Sequence, residues 1–286
     1  LRIPYEVVDR REVFQQGVID DFVAGYASGT TPNPCVRCNE RVKLRSLYAL
    51  AHERGMDYVA TGHYARVQQI DGQWSLHRAL DARKDQSYFL YRINPAWLPH
   101  LLFPVGHMQK CDVWQEAESL GLPVEELKES QEICFVSHGD YRTFIEQEMP
   151  EAKKPGPFVG VDGEGIAFYT PGQRRGLGIA VGQRLYVQKV VPESGQVVLC
   201  AEDQLVQSEC QVADLSLFDH ALGRQPVEAD VKIRYATPPC PATLLPSESG
   251  TLQVQFHQPQ RALSPGQSAV FYDGDRVLGG GIIQRS

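Results

Sequence analysis

The hydrophobic period of this chain changes near Tyr141, and that change limits the fold more than any other feature. Before it, apolar residues recur at helical spacing. Val13, Phe14, Val18, Phe22 and Tyr26 predict a helix over 11–26 that stops at Gly29, and Leu44, Leu47, Tyr48 and Ala51 line a second that ends at Gly55. Tyr58-Val-Ala-Thr then reads as a short buried strand, and a helix followed by a buried strand implies a parallel α/β sheet. A third helix carries Val113, Trp114, Ala117 and Leu120 on one stripe and closes at Gly121, with Pro123 beyond it. After about Tyr141, glycine and proline are frequent and runs such as Leu185-Tyr-Val-Gln-Lys-Val and Gln196-Val-Val-Leu alternate with period two. Turn signals at Glu193-Ser-Gly, Ser247-Glu-Ser-Gly and Asp273-Gly-Asp separate short strands, which predicts a small β domain followed by a β-barrel. The expected divisions are 1–140, 141–206 and 207–286.

With 286 residues and 42% apolar content the chain can bury a core of two or three domains. Its 28 Lys+Arg against 35 Asp+Glu give a net charge of −7, so any nucleic-acid contact must come from local basic clusters. No apolar run reaches the length of a membrane span and no secretory signal opens the chain, which makes the cytoplasm the expected compartment and a membrane no partner. Seven scattered cysteines, an odd number, suit reduced thiols in catalytic or core roles better than a disulfide scaffold.

The densest motif is Thr31-Pro-Asn-Pro-Cys-Val-Arg-Cys-Asn, where two prolines and an asparagine force an irregular loop just before a helix. It places Cys35 and Cys38 near a helix N-terminus, where exposed N–H groups, with Arg37 and Arg41 nearby, are expected to favour a thiolate. A zinc site would want a second cysteine pair, and Cys111, Cys134, Cys200, Cys210 and Cys240 are singletons, so no metal site is expected. A thioredoxin-like pair would enter its helix from a strand, which Pro-Asn-Pro does not provide. Gln131-Glu-Ile-Cys-Phe alone reads as a buried strand with Cys134 a small core residue. Thr61-Gly-His-Tyr puts a Gly-His pair at the end of a parallel strand, where open α/β sheets bind ligands. Lys84-Asp-Gln-Ser-Tyr-Phe-Leu reads locally as a helix start capped by Asp85.

Together, and in this order, these segments resemble the tRNA-uridine 2-sulfurtransferase family, the tRNA 2-thiouridine synthases. The likeness rests on the cysteine motif at 31–39, Ala60-Thr-Gly-His-Tyr-Ala-Arg, the Lys84 segment, Ser130-Gln-Glu-Ile-Cys-Phe-Val, Tyr169-Thr-Pro-Gly-Gln-Arg-Arg-Gly-Leu, Lys232-Ile-Arg-Tyr, and Leu263-Ser-Pro-Gly-Gln-Ser-Ala-Val-Phe-Tyr-Asp-Gly. It implies an N-terminal ATP-pyrophosphatase-type (adenine-nucleotide hydrolase-like) α/β domain, a small central β domain and a C-terminal β-barrel that binds tRNA. Cys38 matches the family's nucleophile and Cys134 the cysteine that carries sulfur as a persulfide, the two forming a redox disulfide. Gly62 matches an ATP-contacting glycine. Asn33, Pro34 and Cys35 match positions facing the target base, although one branch has an aspartate at Cys35. His63, Lys84, Asp85, Gln86, Arg234, Tyr235 and Gln267 match tRNA-contacting positions.

The implied reaction thiolates the wobble uridine of the anticodon, with ATP and Mg2+ as cofactors and with tRNA and a sulfur-donor protein, such as a cysteine desulfurase or a sulfur-relay carrier, as partners. Arg174, Arg175, Lys232 and Arg234 are the clusters expected on phosphates. The family opens on a Ser-Gly-Gly-Val-Asp-Ser-type loop around the ATP pyrophosphate, and this sequence holds no equivalent. Leu1-Arg-Ile-Pro-Tyr-Glu-Val-Val reads as the approach to a strand already inside a fold. A truncated enzyme, inactive as it stands, is therefore expected. The alternatives are a tRNA-binding protein that no longer uses ATP and a thiol redox or zinc protein.

Overall fold

The computed structural model describes residues 3–124, 133–136, 141–150, 156–158, 161–163, 169–175, 177, 184–247 and 249–285. Helix α1 (Arg11–Phe14) continues through a π turn (Gln15–Ile19) into α2 (Asp20–Ala27), which buries Phe22, Val23 and Tyr26. Gly29, at φ +68°, ends this rod with a left-handed residue that glycine adopts without strain. Helix α3 (Pro34–Cys38), a second π turn (Asn39–Lys43) and α4 (Leu44–Glu53) make the next rod. The two π turns pack on each other so closely that a Cβ on Gly17 would lie 3.6 Å from the Arg41 Cβ.

The parallel sheet is present but short: β1 (Val59–Ala60) pairs with β4 (Leu101–Leu102). Tyr58, expected in the strand, lies outside it and is 57% exposed. The hairpin β2 (Ala65–Ile70) and β3 (Gln73–Arg78) turns at Asp71-Gly72, both with positive φ, as a two-residue turn between right-twisted strands requires. Helix α5 (Lys110–Ser119) forms over the predicted segment with a capping box at Gln109, and its apolar stripe is only half-covered, Val113, Trp114 and Ala117 being half-buried with the Lys110 ammonium 4.3 Å from the Trp114 ring. Cys134 is also corrected: Ile133–Val136 is a turn rather than a strand, and Cys134 is exposed. Gln131 and Glu132 lie outside the described residues.

From Tyr141 onward one α-helix and, among the described residues, two short 3-10 turns (Glu202–Leu205 and His220–Gly223) depart from the β reading. Helix α6 (Tyr141–Glu148) buries Ile145 completely and packs against α2, with Tyr141 stacked on Tyr26 at 4.9 Å. Strands β5 (Gly156–Phe158), β6 (Val161–Gly163), β7 (Tyr186–Val191) and β8 (Gln196–Cys200) form a small sheet in the order β6-β5-β8-β7. The strands β9 (Val206–Leu217), β10 (Val227–Lys232), β11 (Cys240–Pro246), β12 (Leu252–Arg261), β13 (Ser268–Asp273) and β14 (Arg276–Ile283) close into a barrel through the β13–β14 pairing.

Strand β13 explains how the halves hold together. Its Ala269 and Phe271 point into the barrel core with Val212, Leu244 and Val254, while Val270 and Tyr272 join Leu44, Leu76, Tyr88 and Tyr91 in the core of the α/β part. Such a strand is buried on both faces, which is why it reads as a continuous apolar run. Each fully buried side chain of that size contributes roughly 1.5–3 kcal/mol, so the barrel and the α/β part share a core.

Candidate functional site

The cysteine motif folds as its residue types demand. Asn33 has extended backbone and its Oδ1 accepts from the Val36 N–H at 3.4 Å, while Pro34 occupies the first helical turn, where no donor is missed. The barrel fixes the loop before it: Thr31 N–H donates to the Pro265 carbonyl at 2.8 Å and Gln267 Nε2 donates to the Thr31 carbonyl at 2.8 Å. Asn33 lines a cavity of about 310 Å³ together with Thr30, Pro32, Arg37 and Ser268.

Three thiols act on one another electrostatically here. Cys38 is buried against Val18 and Val42, with Phe14 and Phe135 packed on the same cluster. Phe135 is pinned edge-on to Phe14 and Phe22 at 5.6 and 5.4 Å, which brings its neighbour Cys134 to the cysteine helix. Burial raises the Cys38 thiol above its ordinary value, Lys43 opposes that rise, and Cys134 and Cys35 add to it. Cys35 presents an exposed surface, yet desolvation still raises it, with Cys134 adding and Lys43 opposing. Cys35, Cys38 and Cys134 are thus within electrostatic range of one another, and all are free thiols.

Arg37 and Arg41 do not supply the expected positive field. Arg37 is spent on Asp214 at 2.7 Å and Glu40 at 3.1 Å, and Arg41 on Asp21 at 3.1 Å. The charge that does act is Lys43, which no reading of the sequence singled out. A π turn brings residue i+5 toward the face of residue i, whereas an α-helix would rotate it about 140° away, and with the turn Asn39–Lys43 in place Lys43 acts electrostatically on Cys38.

Lys43 also reaches His63, whose pKa burial first and then Lys43 lower to about 4. The imidazole is therefore neutral near pH 7; its Nδ1 lies 2.7 Å from the Thr61 hydroxyl. Gly62, beside it, sits just past the C-terminal end of β1, and a Cβ there would meet nothing within 4 Å. That open backbone fits the approach of a nucleotide at the position where α/β sheets take ligands. Lys84, Asp85 and Gln86 stand against the same loop, because Gln86 Oε1 accepts from Tyr64 N–H at 2.9 Å and Gln86 N–H donates to the Tyr64 carbonyl at 2.7 Å. The Asp85 carboxylate is buried and accepts from the Ala79 and Ser87 N–H groups, each at 3.1 Å, and from the Ser87 hydroxyl at 3.0 Å. Lys84 N–H donates to the Asp81 carbonyl at 3.0 Å.

The remaining expected residues lie farther round the molecule. Arg234 is half-buried and donates to Ser264 Oγ at 2.7 Å and to the carbonyls of Ala262 and Pro171, so it ties the loop at Pro171 to the barrel. Tyr235 is exposed beside Phe89, with the Lys232 ammonium 5.2 Å from its ring. Lys232, Tyr235, Arg78, Arg83 and Thr237 line a cleft of about 520 Å³, in which Arg78 Nη2 is buried without a hydrogen-bond partner. Arg174 and Arg175 open on a second groove of about 580 Å³ with Arg184, Arg261 and Tyr186. Arg184, Arg261 and Arg78 escaped the sequence reading because no local pattern joins them. Among the described residues, no group of three or more His, Cys, Asp or Glu side chains is arranged to hold a metal ion, and no helix is long and apolar enough to cross a membrane.

Comparison with known proteins assigns the chain in three pieces. Residues 1–138 match the tRNA methyl transferase HUP domain, 142–201 the tRNA methyl transferase PRC-barrel domain, and 207–283 the aminomethyltransferase beta-barrel domain. The tRNA-specific 2-thiouridylase of Pelotomaculum thermopropionicum is 42% identical over 99% of this chain and 80% of its own length. That of Moorella thermoacetica is 43% identical over 99% of this chain and 82% of its own length, and that of Clostridium acetobutylicum 40% identical over 99% and 81%. Relatives this similar over nearly the whole chain show that it belongs to the tRNA-specific 2-thiouridylase family.

Proposed function

We propose that this protein is a cytoplasmic tRNA-uridine 2-sulfurtransferase that forms 2-thiouridine at the wobble position of the anticodon. The observation that carries the reading is that Phe135, packed on the Cys38 cluster, holds its exposed neighbour Cys134 within electrostatic range of Cys38, although the two thiols are far apart in sequence. Two of the three matched domains are described as methyl transferase, but a methyl transfer needs at most one thiol nucleophile. The division into 1–140 for catalysis, 141–206 as the central domain and 207–286 for tRNA binding belongs to the same reading.

ATP with Mg2+, when bound, supplies the activation that turns the uridine 2-oxygen into a leaving group, and Gly62 is the residue here that would lie against the nucleotide. The exposed Cys134 thiolate attacks the outer sulfur of a persulfide on a donor protein, the donor's sulfur–sulfur bond breaks with its thiolate leaving, and Cys134 becomes the persulfide. Cys38 then attacks the inner sulfur of that persulfide. A Cys38–Cys134 bond forms, the sulfur–sulfur bond of the persulfide breaks, and hydrosulfide leaves to attack the activated C2 carbon. Lys43 stabilises the Cys38 thiolate against its burial, and neutral His63 adds no opposing or competing charge. Asn33, Pro34 and Cys35 would face the base, which must be splayed out of its loop to reach them. The tRNA backbone would meet Arg174, Arg175, Lys232 and Tyr235, with Lys84, Asp85, Gln86, Arg234 and Gln267 contacting it or holding the loops that do.

Mass analysis of uridine from tRNA incubated with ATP and a persulfide donor tests the assignment. In an enzyme that also carries a pyrophosphate loop, Cys38→Ser and Cys134→Ser should each abolish 2-thiouridine while Cys111→Ser, an exposed thiol on α5, leaves it largely intact. Substantial product from either of the first two variants would sink the two-cysteine mechanism.

A further inference from the structure

We infer that Cys35 is a third redox thiol of this site, which takes the Cys38–Cys134 disulfide apart by intramolecular exchange and returns Cys134 to its free form. The inference rests on the sulfur-transfer reading above, since that reaction leaves the persulfide-accepting cysteine locked to Cys38 after each turnover. Cys35 and Cys38 lie three residues apart within helix Pro34–Cys38. Helical geometry sets their Cα atoms about 5 Å apart, inside the range of about 4.4–6.8 Å that a disulfide needs.

Burial sets the direction of traffic. Cys38 is 8% exposed, whereas Cys35 and Cys134 both open to solvent. A soluble reductant reaches Cys35 or Cys134 but not Cys38. The family branch with aspartate at this position cannot perform the step, so it is a property of the Cys-Val-Arg-Cys sequence in this chain.

The exchange balances without an oxidant. The Cys35 thiolate attacks Cys38 Sγ, a Cys35–Cys38 bond forms, the Cys38–Cys134 bond breaks, and Cys134 leaves as a thiolate that takes up the proton Cys35 released. Two electrons from an external dithiol, entering at exposed Cys35, then reset the pair while Cys134 is already free to accept the next sulfur. Lys43 favours the attacking thiolate, while desolvation and Cys134 oppose it, so the exchange should quicken as the pH rises.

Disulfide mapping of the full chain tests this without requiring catalysis. The protein is oxidised with one equivalent of diamide, quenched in acid, alkylated and digested with trypsin, which cuts after Arg37 and so makes a Cys35–Cys38 link join two peptides. Cys35–Cys38 should exceed Cys38–Cys134 by about tenfold, with Cys134 recovered alkylated, and Cys35→Ser should show Cys38–Cys134 instead. A wild-type protein holding only Cys38–Cys134, or no Cys35–Cys38 link at any pH from 7 to 9, overturns the inference, and the wild-type measurement needs no variant to fold. If Cys38→Ser or Cys134→Ser still thiolates tRNA, the sulfur-transfer reading fails on its own evidence, separately from the mapping.

Discussion

Replacing Asp214 by alanine should loosen the cysteine helix from a distance. Asp214 lies in barrel strand β9, yet its carboxylate accepts from Arg37 at 2.7 Å and from Arg92 at 3.0 Å, and its backbone carbonyl from Arg92 at 2.6 Å. Arg37 sits between the two cysteines of the motif, and Glu40 bridges it, at 3.1 Å, to Arg92, at 3.0 Å. The two guanidinium groups are only 14% and 9% exposed, while Asp214 is 48% exposed. Losing a hydrogen bond to a charged partner costs about 1.5–3 kcal/mol, and two are lost here. Solvent at the half-exposed carboxylate and the surviving Glu40 reduce the sum to about 2 kcal/mol. Asp214 also has φ +47°, where alanine adds roughly 1 kcal/mol of strain that aspartate, asparagine and glycine tolerate better. Asp214→Ala should therefore cost about 3 kcal/mol, Asp214→Asn about 1 to 2 by keeping the backbone and one acceptor, and Asp214→Gly about 2 by removing only the carboxylate. Hydrogen exchange over residues 34–53 is the assay, with the midpoint of thermal unfolding beside it, expected to drop by about 6–12 °C for the alanine variant. Unchanged protection in the helix and a midpoint within about 1 °C of wild type would refute the view that the barrel clamps the cysteine helix.

Three further outcomes are expected. His63 has a folded pKa near 4 against 6.5 when unfolded, so it contributes nothing adverse above pH 6.5 and costs stability as pH falls through that window, up to about 3 kcal/mol near pH 4. Urea midpoints should fall more steeply from pH 7 to pH 4.5 for wild type than for His63→Asn, and equal slopes would contradict the assignment. Gly266→Ala should destabilise by about 1–3 kcal/mol, because φ there is +90° and the new Cβ would meet Thr30 Cβ and Thr31 N at 2.8 Å, displacing the loop before the cysteines. An unshifted melting curve for that variant would mean the loop yields freely. Arg184→Glu combined with Arg261→Glu should weaken tRNA binding by about tenfold or more at low salt and flatten its salt dependence, measured by filter binding across a salt series. Parallel salt slopes for variant and wild type would place the phosphates elsewhere.

What the sequence made legible was whatever rests on local rules. The Asn33 cap, Pro34 in the first turn, the left-handed glycines at 29 and 55 and the alternating strands of the barrel all follow from backbone chemistry within a few residues. The failures share a different cause. Helix α6 was missed because Tyr141–Glu148 carries few apolar residues and depends on one completely buried side chain, Ile145, and on the neighbouring α2. Cys134 looked like a core strand residue because Ile-Cys-Phe-Val is apolar, yet it is the flanking Phe135 and Val136 that bury themselves and leave Cys134 exposed. Lys43 was invisible because it follows Cys38 through a π turn that no spacing rule for an α-helix anticipates.

The arginines near the cysteines carry the same lesson into electrostatics, and they bear on how an acidic chain can meet RNA. Arg37, Arg41 and Arg92 are balanced inside the molecule by Asp21, Glu40 and Asp214, so they neither activate Cys38 nor attract phosphate. The groove between the central sheet and the barrel is different: Arg174, Arg175, Arg184 and Arg261 line it with, among the described residues, one carboxylate, Glu202, which Arg261 holds at 2.9 Å. Charges separated by more than about 8 Å are largely screened at physiological salt, so a phosphate approaching that groove senses the arginines rather than the total of −7. On the proposed tRNA-binding reading the total charge therefore adds little at that distance, and the placement of the arginines in this groove decides where a phosphate backbone would settle.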